Sequence, residues 1–404
     1  MKVRVRGHIR DLLAFRKLVP ERKKRIARSS AAVLDLDPMN RLARRLHPEN
    51  QNLVIADIRD ETRTTKTFKL VADPDSPTEE LAYFRAGQYL SLRVAVNAVR
   101  VTRPYSISSA PFEALDGSGF YEITVRRQPE GFLTTYVWDN WKVGTKVHSS
   151  GPSGLFYHEP LRDSGKIVGL AGGSGIAPFR SMARAIVQGE LDAELLLLYG
   201  SSDEDDIVFQ RELAELEQKA PDKIRVVHVL SCKDTSMEGC ERGFITADLI
   251  RKHADVDNGS FFVCGPQAMY QFVEQELAKL DLPRRRIRRE VYGELENVTR
   301  SPGFPREVAD RTFRLKAHVG GISVEVPARA VETVLVAMER ANLAPPSECR
   351  SGECGFCRTL LVEGDVYISP ESDGRRAADK RFGYIHPCAS YPITNLEVAI
   401  PRAV

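Results

Sequence analysis

The sequence predicts a multidomain protein of α/β and β class: a β-barrel, then a parallel α/β sheet, then a small β-rich domain built around cysteines. Three observations carry this. Between residues 52 and 128, short runs rich in β-branched and aromatic residues follow one another with Pro, Gly and Asp turns between them. That is the pattern of short strands closing into a barrel. From about residue 160 to 266, short apolar runs alternate with helical stretches, the pattern of a parallel sheet covered by helices. Residues 349–357 then read CRSGECGFC, with Cys349, Cys354 and Cys357 in nine residues.

Residues 1–48 form a basic extension, with eleven Lys or Arg in residues 1–28 against Asp11 and Glu21. The plainer reading is a solvated, partly helical segment. The sharper one is a patch for an acidic partner or for anionic lipid headgroups, a peripheral membrane contact. The stretch lacks a long apolar run and a small-residue cleavage site, so it is not read as a secretory signal. Residues 49–158 hold the barrel strands NLVIADIRD, TKTFKLVA, QYLSLRVAV, RPYSIS and FYEITVRRQ. Residues 159–298 hold the sheet strands KIVGLAGGSG, ELLLLYGSS, IRVVHVLS and GSFFVCGP, with helical APFRSMARAIVQGE and DIVFQRELAELEQKA between them. A polar stretch, TRSPGFPREVADR, supplies a linker at 299–310, and residues 311–404 form the cysteine domain.

A chain of 404 residues suits two to four domains, and 42% hydrophobic residues can fill real cores. A net charge of +3 gives no global field for nucleic acid or membrane. The dense apolar run LLLLY at 195–199 is strand-length, far short of the roughly 18 residues that span a bilayer. Seven cysteines in a chain this long point to free thiols and a cytoplasmic location rather than a secreted scaffold.

The three clustered cysteines have the spacing C-x4-C-x2-C, and Cys388 follows Cys357 with thirty residues between. This is the plant-type spacing for a [2Fe–2S] cluster held by four thiolates. Gly352 and Gly355 suit a loop that must wrap closely and bring backbone N–H groups near the sulfurs. A structural zinc site would show two short Cys or His pairs. A Rieske centre would need two histidines, and His386 has no second partner motif. A disulfide framework needs a secreted context.

Around this loop the segments RTFRLKAHV, GISVEVP, VETVLVAMERANL, TLLVEGDVYI and LEVAIP resemble a plant-type ferredoxin domain over about ninety residues. The resemblance implies a β-grasp fold and a one-electron carrier.

Upstream, RPYS at 103–106 offers an Arg fork that matches phosphate and a flat Tyr. Alone, it is equally an ordinary strand with an exposed Arg and a buried Tyr. It is followed in order by GFLT at 131–134, GPSG at 151–154, GGSGIAP at 172–178, CGPQAM at 264–269 and REVYG at 289–293. Together these resemble the ferredoxin–NADP reductase superfamily of flavoenzymes over about 245 residues. The resemblance implies a flavin-binding barrel and a nucleotide-binding sheet. It implies that Arg103, with Pro104, binds the flavin phosphate, that Tyr105 packs on the isoalloxazine and that the Ser106 hydroxyl lies near flavin N5. Gly131 and Thr134 match a turn that contacts the diphosphate. Glu290 and Tyr292 match an E-x-Y ending beside the flavin, although here the chain continues for more than a hundred residues beyond it. The domain order resembles an FMN-using branch, but GPSG followed by Leu155 and Phe156 favours FAD.

GLAGGSGIAP follows a strand and opens a helix, where glycines let the backbone approach a pyrophosphate. The bare motif departs from G-x-G-x-x-G. The resemblance assigns Gly172, Gly173, Gly175 and Pro178 to the pyrophosphate turn, and Cys264, with Gly265 and Pro266, to the nicotinamide. Cys264 reads equally as a small buried residue at a strand end, while Cys232 and Cys240 are structural. A 2′-phosphate wants Arg or Lys after the second strand. Here Asp203, Glu204, Asp205 and Asp206 follow it, which favours NADH over NADPH, although Arg225, Lys233 or Arg242 could reach the site.

The expected protein is therefore an oxidoreductase with Ser106, Cys264 and Glu290 as catalytic residues. It takes electrons from NAD(P)H through FAD to the cluster and on to a separate oxygenase, hydroxylase, demethylase or desaturase component. The expected contact is the loop rim near Arg350 and Glu353. Two alternatives stand beside it: a subunit of a stable larger redox complex, and a nucleic-acid-binding redox sensor. The basic run lacks the aromatic interleaving and DNA-binding module that the sensor would need, so no nucleic acid is expected.

Overall fold

The computed structural model describes residues 7–29, 38–97, 99–115, 119–129, 131–232, 237–319, 321–343 and 345–400. The chain divides into two compact units, Met1–Arg45 and Leu46–Val404. In the first, the helix Ile9–Arg28 starts where the His8 N–H donates to Asp11 Oδ2 at 3.0 Å, and it ends on Arg25 and Arg28. Acid at the start and base at the end both oppose the helix dipole. No helix among the described residues is long and apolar enough to cross a membrane.

The second unit opens with a six-stranded antiparallel sheet. Its order is Val99–Ser106, Tyr89–Val96, Lys146–Ser149, Gln51–Thr62, Thr65–Ala72 and Phe120–Arg126. A bridge between Ile107 and Ile123 joins the two edges and closes the barrel. Alternation sends Leu53, Ile55, Phe68, Leu70, Leu90, Leu92, Tyr121 and Ile123 inward, where each fully buried large side chain stabilises by roughly 1.5–3 kcal/mol. The helix Phe132–Asn140 adds Leu133 and Val137 to the same core.

A six-stranded parallel sheet follows, ordered Glu241–Arg242, Ile224–Leu230, Glu194–Ser201, Lys166–Gly172, Ser260–Cys264 and Ile287–Glu290. Each face has its own apolar core. Helices Ala177–Gln188 and Gln210–Lys219 contribute to one, and Ala247–His253 and Gln267–Ala278 to the other. The chain runs outward from Lys166–Gly172 and returns to Ser260–Cys264 on its other side. That reversal opens a crevice at the strand ends, the usual ligand site of such sheets.

The last region is a five-stranded sheet ordered Ile322–Arg329, Thr312–Val319, Leu396–Ala399, Thr359–Glu363 and Tyr384–Ile385. The helix Val334–Arg340 packs on it, capped where Thr333 Oγ1 accepts the Val336 N–H at 3.2 Å. The cysteine loop leaves this helix and returns to the sheet.

One helix starts later than its sequence pattern. DIVFQRELAELEQKA reads as helical from Asp206, but the helix begins at Gln210. Phe209 takes φ +61, and the Asp206 carboxylate is drawn away to Arg126, Thr62 and Thr64.

The barrel and the parallel sheet meet at Arg180, which is 1% exposed. Its guanidinium donates to Glu122 at 2.6 Å, to the Ser108 carbonyl at 3.0 Å and to Glu212 at 2.8 Å. It also lies 4.5 Å from the Phe209 ring centroid. Removing one member of such a network leaves buried charge without a partner. Arg180→Ala is therefore expected to cost about 3–5 kcal/mol. Urea unfolding read by Trp138 and Trp141 fluorescence, both in the barrel, measures it; a loss below about 1 kcal/mol would show that the network is dispensable.

Candidate functional site

The cysteine loop runs from Cys349 to Cys357. Cys349 and Cys357 are each 5% exposed, and Cys388 is 1% exposed on a separate turn. The Cys357 and Cys388 sulfurs are 3.4 Å apart. Cys349 Sγ accepts the Ser351 and Cys354 N–H groups at 3.5 and 3.4 Å, and Cys354 Sγ accepts the Phe356 N–H at 3.4 Å. The backbone thus turns its donors onto the sulfurs, which suits thiolates that carry charge. Gly352 makes this possible: its φ is +85, and a Cβ there would lie 2.2 Å from the Ser372 carbonyl oxygen. Among the described residues no three His, Cys, Asp or Glu side chains are grouped for a single metal ion. Four thiols from one tight loop and one distant turn are what a two-iron cluster needs, so the residues fit that group.

A cavity of about 810 Å³ opens at the crevice of the parallel sheet and runs to the barrel. The turn Gly172, Gly173, Ser174 and Gly175 lines it, as do Cys264, Gly265 and Pro266 at the end of the neighbouring strand. From the barrel come Pro104, Tyr105, Ser106 and Thr134, and Tyr292 completes it. The two turns touch through backbone: a Cβ on Gly175 would lie 2.4 Å from the Cys264 carbonyl oxygen. Only glycine permits that approach, and it leaves the turn's N–H groups clear for an anion. The Ser106 and Tyr292 hydroxyls are 2.9 Å apart, and the Tyr292 ring meets Tyr89 edge-on at 5.6 Å.

Two titratable groups are held neutral beside the crevice. Burial pushes the Cys264 thiol up. Burial, reinforced by the Glu353 charge, holds the Glu290 carboxyl well above the ordinary carboxylate range, and Glu290 Oε2 has no hydrogen-bond partner. A glycine cradle with a buried neutral carboxyl nearby, one of whose oxygens lacks a partner, fits an anionic dinucleotide and a planar ring system.

Four of the residues singled out from sequence do not line the cavity. Arg103 donates to the Thr102 carbonyl at 2.9 Å and stands 3.9 Å from Glu339 Oε2. Gly131 precedes the helix Phe132–Asn140 and supports Thr134 from behind. Pro178 is buried in the first turn of Ala177–Gln188. Glu290 is buried at the end of its strand. Sequence reasoning missed Arg126, which lines the cavity and pairs with Asp206, and Tyr89, which faces Ser106 across the strand pair. Neither belongs to a motif; only cross-strand register brings them in.

Three expectations need correction. The acidic run does not line the cavity: Asp206 turns inward to Arg126, and Glu204 and Asp205 line a separate charged cleft. Ser201 and Ser202 stand at the cavity instead, so the preference for NADH does not come from a wall of carboxylates. Arg225 lies at the opposite end of its strand from Val229 and Ser231, which line the cavity, so it does not reach. Arg242 adjoins Gly243 on the rim, and Lys233 lies outside the described residues. Finally, Arg350 is 0% exposed and cannot form a contact rim.

Comparison with known proteins assigns these parts. Residues 53–158 match the family described as Oxidoreductase FAD-binding domain, 170–275 the Oxidoreductase NAD-binding domain, and 317–392 the 2Fe-2S iron-sulfur cluster binding domain. The chain is 30% identical over 353 residues to the ferredoxin reductase component of 3-ketosteroid-9-alpha-monooxygenase from Mycobacterium tuberculosis, covering 84% of this chain and 92% of that one. It is 26% identical to the glycine betaine monooxygenase reductase subunit of Chromohalobacter salexigens, over 84% and 92% of the two chains. Phthalate dioxygenase reductase has the same fold, with a TM-score of 0.60, 24% identity and coverage of 87% and 97%. The cofactors are FAD, NADH and a [2Fe–2S] cluster. The chain belongs to the ferredoxin-reductase components that join an FAD-binding barrel, an NAD-binding sheet and a 2Fe-2S domain, and it is an oxidoreductase of that type.

Proposed function

We propose that this chain passes electrons from NADH, through FAD and the [2Fe–2S] cluster, to a separate acceptor protein of oxygenase, hydroxylase, demethylase or desaturase type. One observation carries the reading. Tyr292 lines the dinucleotide cavity, and two residues on, Glu294 forms an ion pair with Arg350, the neighbour of Cys349. The nucleotide site and the cluster loop are thus joined within a few residues. The relatives named as reductase components of monooxygenases support a separate acceptor.

Bound FAD would supply chemistry that can match a two-electron donor to a one-electron cluster. The chain's own residues prepare the site. Ser106 and Tyr292 fix each other through their shared hydrogen bond. Glu290 holds a proton on its buried carboxyl, and the neutral Cys264 thiol presents a dry, compact surface. The glycine turn offers N–H groups to the pyrophosphate. The free thiols Cys232, Cys240 and Cys264 suit a reducing compartment, which supports a cytoplasmic location.

The exposed Ile9, Phe15 and Ile26 among the Lys and Arg of the helix Ile9–Arg28 support a peripheral contact with an anionic surface. Sedimentation with phosphatidylserine vesicles at low salt is the check: residues 1–45 should be needed for it, and equal sedimentation of a chain lacking them would remove the idea.

Anaerobic titration with NADH, followed by visible absorption and low-temperature EPR, tests the main reading. Flavin bleaching and a [2Fe–2S] signal are expected, with kcat/KM for NADH at least about tenfold above that for NADPH. In Cys388→Ser the flavin should still bleach while the EPR signal is lost. A persistent signal in that variant would remove Cys388 from the cluster. Gly175→Ala should weaken NADH binding about tenfold, or 1.4 kcal/mol, because backbone must part from backbone. An unchanged Kd by fluorescence titration would show that the two turns are not held together.

A further inference from the structure

The cluster loop has one open side. Its inner flank is closed by the rest of the chain: Arg350 is 0% and Ser351 6% exposed. The outer edge carries Phe356, one residue before Cys357 and 47% exposed, with its N–H on Cys354 Sγ. Beside it lies the short helix Ala377–Arg381. Two contacts fix that helix against the loop. Asp379 accepts from Arg358 at 3.4 Å, and the turn before the helix is so close that a Cβ on Gly374 would lie 2.5 Å from the Gly352 carbonyl oxygen.

Exposed charge around the loop is mainly cationic, with Arg358, Arg376, Lys380 and Arg381 against Glu353 and Glu371. Glu353 and Glu371 are exposed and line a small cavity of about 80 Å³ together with Gln271, Glu274 and Arg289 of the parallel-sheet region. Asp379 is buried, and Asp373 is engaged by Arg375 and Lys380. On the outward side, Arg376 and Arg381 are exposed, and among the described residues no carboxylate stands within ion-pair distance of either. Phe382, next to Arg381, is 63% exposed. Two aromatic rings and a set of guanidinium groups therefore face solvent beside two cluster ligands.

Resting on the reading of this chain as a reductase for a separate protein, we propose that the rim formed by Phe356, Arg358, Arg376, Arg381 and Phe382 docks the electron acceptor, and that the acceptor presents carboxylates around an apolar spot. The rings supply the dry contact that brings the two redox centres close. The cations steer the approach, a term that changes association rates by 10–10³ and fades with salt.

The test uses the full chain loaded with FAD and cluster, and two probe proteins: cytochrome b5, acidic around its haem edge, and cytochrome c, basic around its own. Stopped-flow reduction of cytochrome b5 driven by NADH should slow as salt rises. In Arg376→Glu/Arg381→Glu it should slow by about tenfold or more at low salt, while cytochrome c reduction rises. Reduction of flavin and cluster by NADH without any probe, read by absorption and EPR, is the control and should be unchanged. If the control fails in the unaltered chain, the reductase reading itself is lost. If the control holds but the double variant reduces cytochrome b5 at the original rate, or the unaltered chain prefers cytochrome c at low salt, the cationic docking surface is overturned.

Discussion

One buried cation holds the arrangement together. Arg350 sits beside Cys349 of the cysteine loop, at φ +59, with its side chain fully enclosed. It donates to Glu339 at 2.5 Å and pairs with Glu294. Glu339 lies at the end of the ferredoxin helix and also accepts the Thr102 N–H of the barrel at 3.4 Å, while standing near Arg103. Glu294 follows the E-x-Y ending of the parallel-sheet region. A single guanidinium thus ties the cluster loop to both other folded regions. Burying it uncompensated would cost several kcal/mol, so its two carboxylates are obligatory partners.

What such a network secures is geometry more than stability. Buried ion pairs can often be replaced by apolar side chains without loss, but an apolar patch tolerates sliding, and a forked hydrogen-bonded pair does not. Arg180 performs the same service between barrel and sheet, with Glu122 and Glu212 as its partners. Between them, the two arginines fix three regions whose cofactors must keep constant separations. Electron transfer needs that constancy, because the reacting groups never touch.

The nucleotide site relies on a different device. Its neutral Cys264 and the hydroxyl pair of Ser106 and Tyr292, with the neutral Glu290 carboxyl buried on the adjoining strand, form a weakly charged corner. In such a corner a proton or a hydrogen bond has more effect than in water. The glycine turn meanwhile leaves backbone donors free for an anion. Charge is handled at one end of the cavity and excluded at the other.

The three folds and their order are legible in the sequence, because strand alternation, the strand–helix rhythm and cysteine spacing are all local patterns. The four candidate cluster cysteines and the glycine turns are legible too, since those residues lie close in sequence or in ordered motifs. Cys388 is distant from its fellows and is still legible, because it completes the C-x4-C-x2-C…C pattern. Where charges point is settled by tertiary packing. Asp206 reads as part of a solvated acidic run, yet strand packing turns it onto Arg126. Arg350 reads as an exposed loop residue, yet the docking of the other regions buries it completely. Arg126 and Tyr89 belong to no motif: cross-strand register brings Arg126 to the cavity and sets Tyr89 opposite Ser106. A long charged side chain has many rotamers of similar energy, and the choice among them is made by partners far away in the chain.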